Sequence, residues 1–229
     1  MVRLDRQLKK VPFFWRYADH LRPRFPGSIA YWENRYSSGG NSGVGSYGHL
    51  ADYKAAIINE FVAEFRISSV VEFGCGDGNQ LSLAEYPRYL GLDVSRKAIE
   101  ANIQRFKGDC SKSFLLYEPA CFNDASHFIS AELGLSLDVI YHLIEDKNFH
   151  AHIMHLFGTA TRFVIIYSSN HDEIVKNSHV RHRRFAEFVE RECPLWQLMK
   201  VTKNRYSVAE FDSERGSFSD FYIYEKRAP

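Results

Sequence analysis

The run VVEFGCGDGNQ, Val70 to Gln80, sets three glycines directly behind a short β-branched and aromatic stretch. Glycines spaced this way let the chain turn sharply after a strand and leave bare backbone open to a ligand. That requirement constrains everything around it: the strand must be buried, and a crossover must return the chain for the next strand. YLGLDV (from Tyr89), FLLY (Phe114 to Tyr117), ELGLSLDVI (Glu132 to Ile140) and RFVIIYSS (Arg162 to Ser169) are further near-continuous apolar runs. Helical spacing lies between them. HLADYKAAIINEFVAEF places Leu50, Tyr53, Ile57, Phe61 and Phe65 on one face. Ser95 is positioned to cap a helix carrying Ile99, Ile103 and Phe106, and another helix carries Phe149, Ile153, Leu156 and Phe157. Apolar strands alternating with helices predict an α/β fold, a mostly parallel sheet covered on both faces. WQLMKVT and FSDFYIYEK are strands joined by polar residues, which suits an antiparallel C-terminal hairpin on one sheet edge.

The chain has 229 residues and is 45% hydrophobic, enough for one sizeable core. A net charge of +1 speaks against sequence-wide attraction to nucleic acid or an anionic membrane. Cys75, Cys110, Cys121 and Cys193 are scattered without CxxC pairing, so neither a disulfide framework nor a cysteine zinc site is expected. With no membrane-spanning apolar run, a cytoplasmic protein is expected. The expected division is an N-terminal helical extension and glycine-rich segment over residues 1–48, then a ligand-binding domain over 49–229.

The glycines follow GxGxG, Gly74, Gly76 and Gly78, with Asn79 where a dinucleotide fingerprint has its third glycine. This disfavours an NAD-dependent oxidoreductase. Glu72 on the strand would repel a diphosphate and welcome an ammonium group, and Asp93 ends the next strand where a carboxylate accepts ribose hydroxyls. VVEFGCGDG, LGLDVS and LSLDVIYHLIED (Leu135 to Asp146), in this order and spacing, resemble the class I S-adenosylmethionine-dependent methyltransferases. The resemblance covers roughly residues 30–226 and implies a Rossmann-like seven-stranded sheet whose last strand inserts antiparallel. It implies S-adenosyl-L-methionine as cofactor, with the glycine loop facing its methionine and sugar parts, Glu72 near the amine, Asp93 on the ribose and Asp138 lining the site. For the adenine amine, Glu118 and Asp124 both stand as candidates. More weakly, the chain is similar to methyltransferases of surface-polysaccharide and glycan pathways.

Methyl transfer from a sulfonium needs alignment, and a base when the acceptor is a hydroxyl. The loops at the strand ends hold Tyr141 and His142, then His171, so the two histidines are the expected bases and Tyr141 an expected substrate contact. HVRHRRFAEFVE supplies Arg181 and Arg183, forks suited to an anionic acceptor such as a phosphorylated or acidic sugar. The alternative reading of this patch is a solvated helix face balanced by glutamates. No metal is expected from His150, His152 and His155. Upstream, SSGGNSGVGSYG (Ser37 to Gly48) lacks the Gly-Lys-Ser/Thr of a phosphate loop. Trp32, Arg35 and Tyr36 resemble the W-x-x-x-Y element of some class I methyltransferases, which implies aromatics over the sulfonium, Arg35 on the methionine carboxylate, and a glycine-rich lid. The expected function is O-methylation of a small, carbohydrate-like or phosphorylated acceptor, with nucleic acid disfavoured. A non-catalytic cofactor-binding regulatory or assembly subunit is the alternative.

Overall fold

The computed structural model describes residues 25–175, 178–208, 210–211 and 216–227. The helical extension expected before Pro26 therefore lies, Phe25 apart, outside the described residues. The elements are α1 (Ser28–Ser37), α2 (Gly48–Glu64), β1 (Val70–Phe73), β2 (Tyr89–Asp93), α3 (Arg96–Arg105), β3 (Lys112–Leu116), β4 (Ala131–Leu137), α4 (Asp146–Thr159) and β5 (Ala160–Ser168). Then come β6 (Glu173–Ile174), β7 (Arg181–His182), α5 (Phe185–Glu192), β8 (Trp196–Thr202) and β9 (Asp220–Lys226).

Seven strands form one sheet in the order β3-β2-β1-β4-β5-β9-β8. The pairs from β3 to β5 are parallel, while β9 runs antiparallel to both β5 and β8. The strands expected from the apolar runs and the C-terminal hairpin are present, with β9 set inside the sheet and β8 at its edge. Strand alternation sends successive side chains to opposite faces. Val71 and Phe73 enter a core built with Ile153, Leu156 and Phe157 of α4, while Val70 joins Ile58, Phe61 and Val62 of α2 on the other.

Three expectations change. On α3 the buried residues are Ala98, Ile99 and Asn102, whereas Ile103 is 56% exposed, because the helix turns a polar side chain toward the glycine loop. Leu115 and Leu116 are exposed because β3 is a sheet edge. The segment after β5 forms a separate two-stranded ladder, β6 with β7. Among the described residues no helix is long and apolar enough to cross a membrane.

Candidate functional site: a cleft at the strand ends

A cleft opens at the carboxyl ends of β1, β2 and β4, the place where ligands of open α/β sheets bind. Its floor is the glycine loop. Gly74 and Cys75 donate to the Leu92 carbonyl at 2.7 and 3.1 Å, so the loop folds back over the end of β2. Asp93 then clasps it: Oδ2 accepts from the Gly76 amide at 2.9 Å and Oδ1 from the Ser95 amide at 2.8 Å. Asn102 of α3 donates to the Gly76 carbonyl at 2.6 Å. Gly76 has φ 59°, and a Cβ there would run into Ser42, so only glycine fits. Burial pushes the Asp93 carboxyl up to about 6 despite those two amide donors. Glu72, also buried, accepts from the Tyr89 hydroxyl at 2.6 Å, and burial pushes it up to about 7.

Helix α1 crosses the mouth. At its start the Ser28 amide donates to Glu145, in the loop after β4, at 2.9 Å. In its middle, Glu33 accepts from Ser95, just after β2, at 2.6 Å. Trp32 and Tyr36 on this helix line the cleft. The glycine-rich segment that follows is tied to the glycine loop itself. Asp77 Oδ2 accepts from the Ser42 amide at 2.9 Å and the Tyr47 hydroxyl at 2.8 Å, and the Asp77 amide donates to Ser42 Oγ at 3.0 Å. Asn79 donates to the Ser46 carbonyl at 2.8 Å, and the Tyr36 and Ser42 hydroxyls meet at 3.0 Å.

The far wall is the end of β4. Asp138 has φ 59°, a left-handed conformation that ends the strand and turns its carboxylate inward. Lys54 of α2, wholly buried, reaches one oxygen at 2.7 Å, and Ser219 donates to the other at 3.0 Å. His142 follows within a short 3₁₀ turn. Its Nδ1 lies 3.0 Å from the His179 carbonyl, which can only accept, so the neutral ring carries its proton there and leaves Nε2 free. Trp32 meets this ring edge-on at 4.9 Å and His179 stacks on it at 5.0 Å. Burial lowers the imidazole to about 4, so it is uncharged near neutral pH.

Of the residues singled out from sequence, Trp32, Tyr36, Glu72, Gly74, Gly76, Asp93, Asp138 and His142 all line this cleft. The others stand elsewhere. Arg35 gives its Nε to the Asn41 carbonyl at 2.6 Å and is absent from the lining. Gly78 packs against Asn102 and Phe106 beneath the loop. Tyr141 is buried behind His142, against Phe218. His171 is half exposed, two residues before β6, stacked on His182 of β7. Arg181 and Arg183 point their guanidinium groups at the Ile144 carbonyl and Asp146, bracing the loop after β4. Neither Glu118 nor Asp124 reaches the cleft; Tyr117 and Pro119 do. His152 bonds Ser136 at 2.8 Å and His155 bonds Tyr117 at 2.7 Å, which accounts for those two histidines without a metal. His171, Glu173 and His182 do bring one possible ligand atom each within 4.8 Å of one another, a grouping that sequence spacing did not suggest.

Three contributors escaped sequence reading. Lys54 sits at i+4 from Leu50 and i−4 from Ile58, a charge on the buried stripe of an amphipathic helix, and that misplaced lysine was the available signal. Ser42 and Asp77 gave none, because their pairing joins residues far apart in sequence.

Strand order, the antiparallel β9 and the glycine loop together match solved methyltransferases. The N-methyltransferase NodS from Bradyrhizobium japonicum, in complex with S-adenosyl-L-homocysteine, superposes with TM-score 0.63 over 89% of this chain and 99% of that one, at 14% identity. The chain has the class I S-adenosylmethionine-dependent methyltransferase fold. A bacterial Hen1 methyltransferase domain shares this methyltransferase fold with TM-score 0.61 at 18% identity, covering 79% of this chain and all of that one. By sequence, a small RNA 2'-O-methyltransferase from Arabidopsis thaliana is 30% identical over 124 residues, 48% of this chain. The match spans only 13% of that relative's length. No family model matches the chain.

Proposed function

We propose that the protein is an S-adenosylmethionine-dependent methyltransferase acting on a hydroxyl of a small, carbohydrate-like or phosphorylated acceptor. The observation that carries the cofactor assignment is the Asp93 clasp on the Gly76 amide at the floor of the cleft. A carboxylate has about four lone-pair sites, so two amide donors leave Asp93 capacity for a ribose diol. Gln80 adds to the fit: it lines the cleft, and its buried Oε1 has no partner among the described residues. That acceptor suits an ammonium donor, as does Glu72 nearby.

Bound S-adenosylmethionine supplies a methyl group already activated on a sulfonium. The chain's part is then to align the acceptor and take its proton. His142 fits the second task, since its Nδ1 proton is held by the His179 carbonyl and Nε2 is the free base. Trp32, 4.9 Å from that ring, shields the site from water and offers a π face to the sulfonium. Replacing His142 by Gln should lower kcat by about 10²-fold while leaving S-adenosylhomocysteine affinity intact. Loss of affinity instead would make His142 a structural residue.

A second acceptor reading, a 2'-hydroxyl of a small RNA, is favoured by the relative that carries that activity in its name. Labelled cofactor offered with nucleotide sugars, phosphosugars, small metabolites and short RNAs separates the two. Binding of S-adenosylhomocysteine without transfer to any of these would favour a regulatory or assembly subunit. Thermal stabilisation by NAD and not by S-adenosylhomocysteine would overturn the cofactor assignment.

A further inference from the structure

We infer that Lys54 is the residue that holds the carboxylate of the cofactor's methionine end, an inference that rests on the S-adenosylmethionine reading above. That end of the ligand is a zwitterion, and a cleft that takes it up must answer both charges. For the ammonium the walls offer Glu72, Asp138 and the unpartnered Gln80 Oε1. For the carboxylate, Lys54 is the one lysine or arginine among the described residues that line the cleft.

Arg35, expected in this role from sequence, lies outside the lining with its Nε bound to the Asn41 carbonyl. Lys54 occupies a position where a charge is costly: it is fully buried on the apolar stripe of α2, in line with Leu50 and Ile58. Replacing a buried ion pair by apolar side chains often leaves stability unchanged or raises it, so stability alone is a weak reason for Lys54 to be there. Its ammonium has three N–H donors, and among the described residues one is engaged, by Asp138 at 2.7 Å. The Tyr167 ring, 5.3 Å away, supports the charge without using a donor geometry. Asp138 meanwhile has a second donor in Ser219 and so is not dependent on Lys54 alone. The pair therefore fits a preset zwitterion receptor, Asp138 holding the lysine at the position a ligand carboxylate must reach.

The test compares S-adenosylhomocysteine with S-adenosyl-3-thiopropylamine, the same molecule without its carboxylate, by calorimetric titration of the full chain. Wild type should prefer the carboxylate form by about 10- to 100-fold, the range expected for a charge-assisted hydrogen bond. In Lys54→Met that preference should collapse to about unity through loss of S-adenosylhomocysteine affinity, with the thiopropylamine affinity unchanged or improved. If the single variant fails to fold because the buried Asp138 charge loses its counter-ion, Lys54→Met combined with Asp138→Asn removes both charges and should show the same collapse. A variant that keeps the wild-type preference, or a wild type with no preference, overturns the assignment while the cofactor reading stands. A wild type that binds neither compound sinks the cofactor reading and the Lys54 assignment with it.

Discussion

Residues 74–78 and residues 39–48 are both rich in glycine, and both hold glycines at positive φ: Gly74, Gly76 and Gly78 in the first, Gly39, Gly43 and Gly48 in the second. Their surroundings differ. A Cβ at Gly74, Gly76 or Gly78 would meet Val139, Ser42 or Asn102, whereas at Gly39 and Gly48 nothing lies within 4 Å. The first segment is fixed by packing and by its place behind a buried strand. The second is fixed by hydrogen bonds to the first, chiefly through Asp77. Gly40 and Gly45 of the second are close-packed too, a Cβ there meeting the Arg35 carbonyl or Asp138, so within it Gly39 and Gly48 are the positions that serve bending alone. The asymmetry is what a fixed floor and a movable cover require, and we propose residues 38–48 as a lid over the cleft.

The difference breaks most visibly at Gly76. Gly76→Val should abolish measurable S-adenosylhomocysteine binding, a loss above about 100-fold, because the side chain must displace Ser42 and strain a left-handed φ. Retained affinity in a calorimetric titration would show that the floor is as pliable as the cover.

Next in size is a pH effect that belongs to the floor alone. Glu72 and Asp93 are pushed up to about 7 and about 6, above the ordinary carboxylate range, so acidification protonates them while the ligand ammonium stays charged. Cofactor affinity should therefore rise between pH 6 and pH 8, by about tenfold from Glu72. Glu72→Gln should flatten that rise; an unchanged slope would place the titrating group elsewhere.

A smaller change is expected for the cover. Asp77→Ala removes the acceptor of the Ser42 amide and the Tyr47 hydroxyl, and proteolysis within residues 38–48 should quicken about fivefold, following the equilibrium cost of one or two hydrogen bonds. In wild type, S-adenosylhomocysteine should slow the same cleavage. Equal rates with and without it would end the lid proposal. Smallest of all, Gly39→Ala should leave cofactor affinity within about twofold, its cost confined to local backbone strain.

How much of this was readable depended on whether the cause was local. β1, β4 and β5 are buried on both faces, so they appear as apolar runs in sequence. The glycine loop and Asp93 carry a pattern fixed by spacing. β3, an edge strand with exposed Leu115 and Leu116, looked the same as its buried neighbours because an apolar run does not state which strand ends a sheet. Arg181 and Arg183 showed as a basic patch, but their neutralisation by Asp146, some 35 residues away, is a tertiary event. His171 was grouped with His142 by position after a strand; two-residue strands carry too little pattern to reveal the separate ladder against which it stacks, on His182. Lys54 alone broke a local rule in plain view.

The order of β9 in the sheet bears on how the molecule is made. It is the last strand among the described residues yet lies between β5 and β8, and the residue before it, Ser219, supplies a donor to Asp138 in the cleft wall. Domains emerge from the ribosome N-terminal end first, so the floor, with its glycine loop and Asp93, is available long before the wall is finished. A nascent chain stopped short of residue 219 has the recognisable motif and lacks a completed cleft. The wall of the cleft is thus complete only once residue 219 is in place, and a chain truncated before it would keep an intact fingerprint while lacking the Ser219 donor to Asp138.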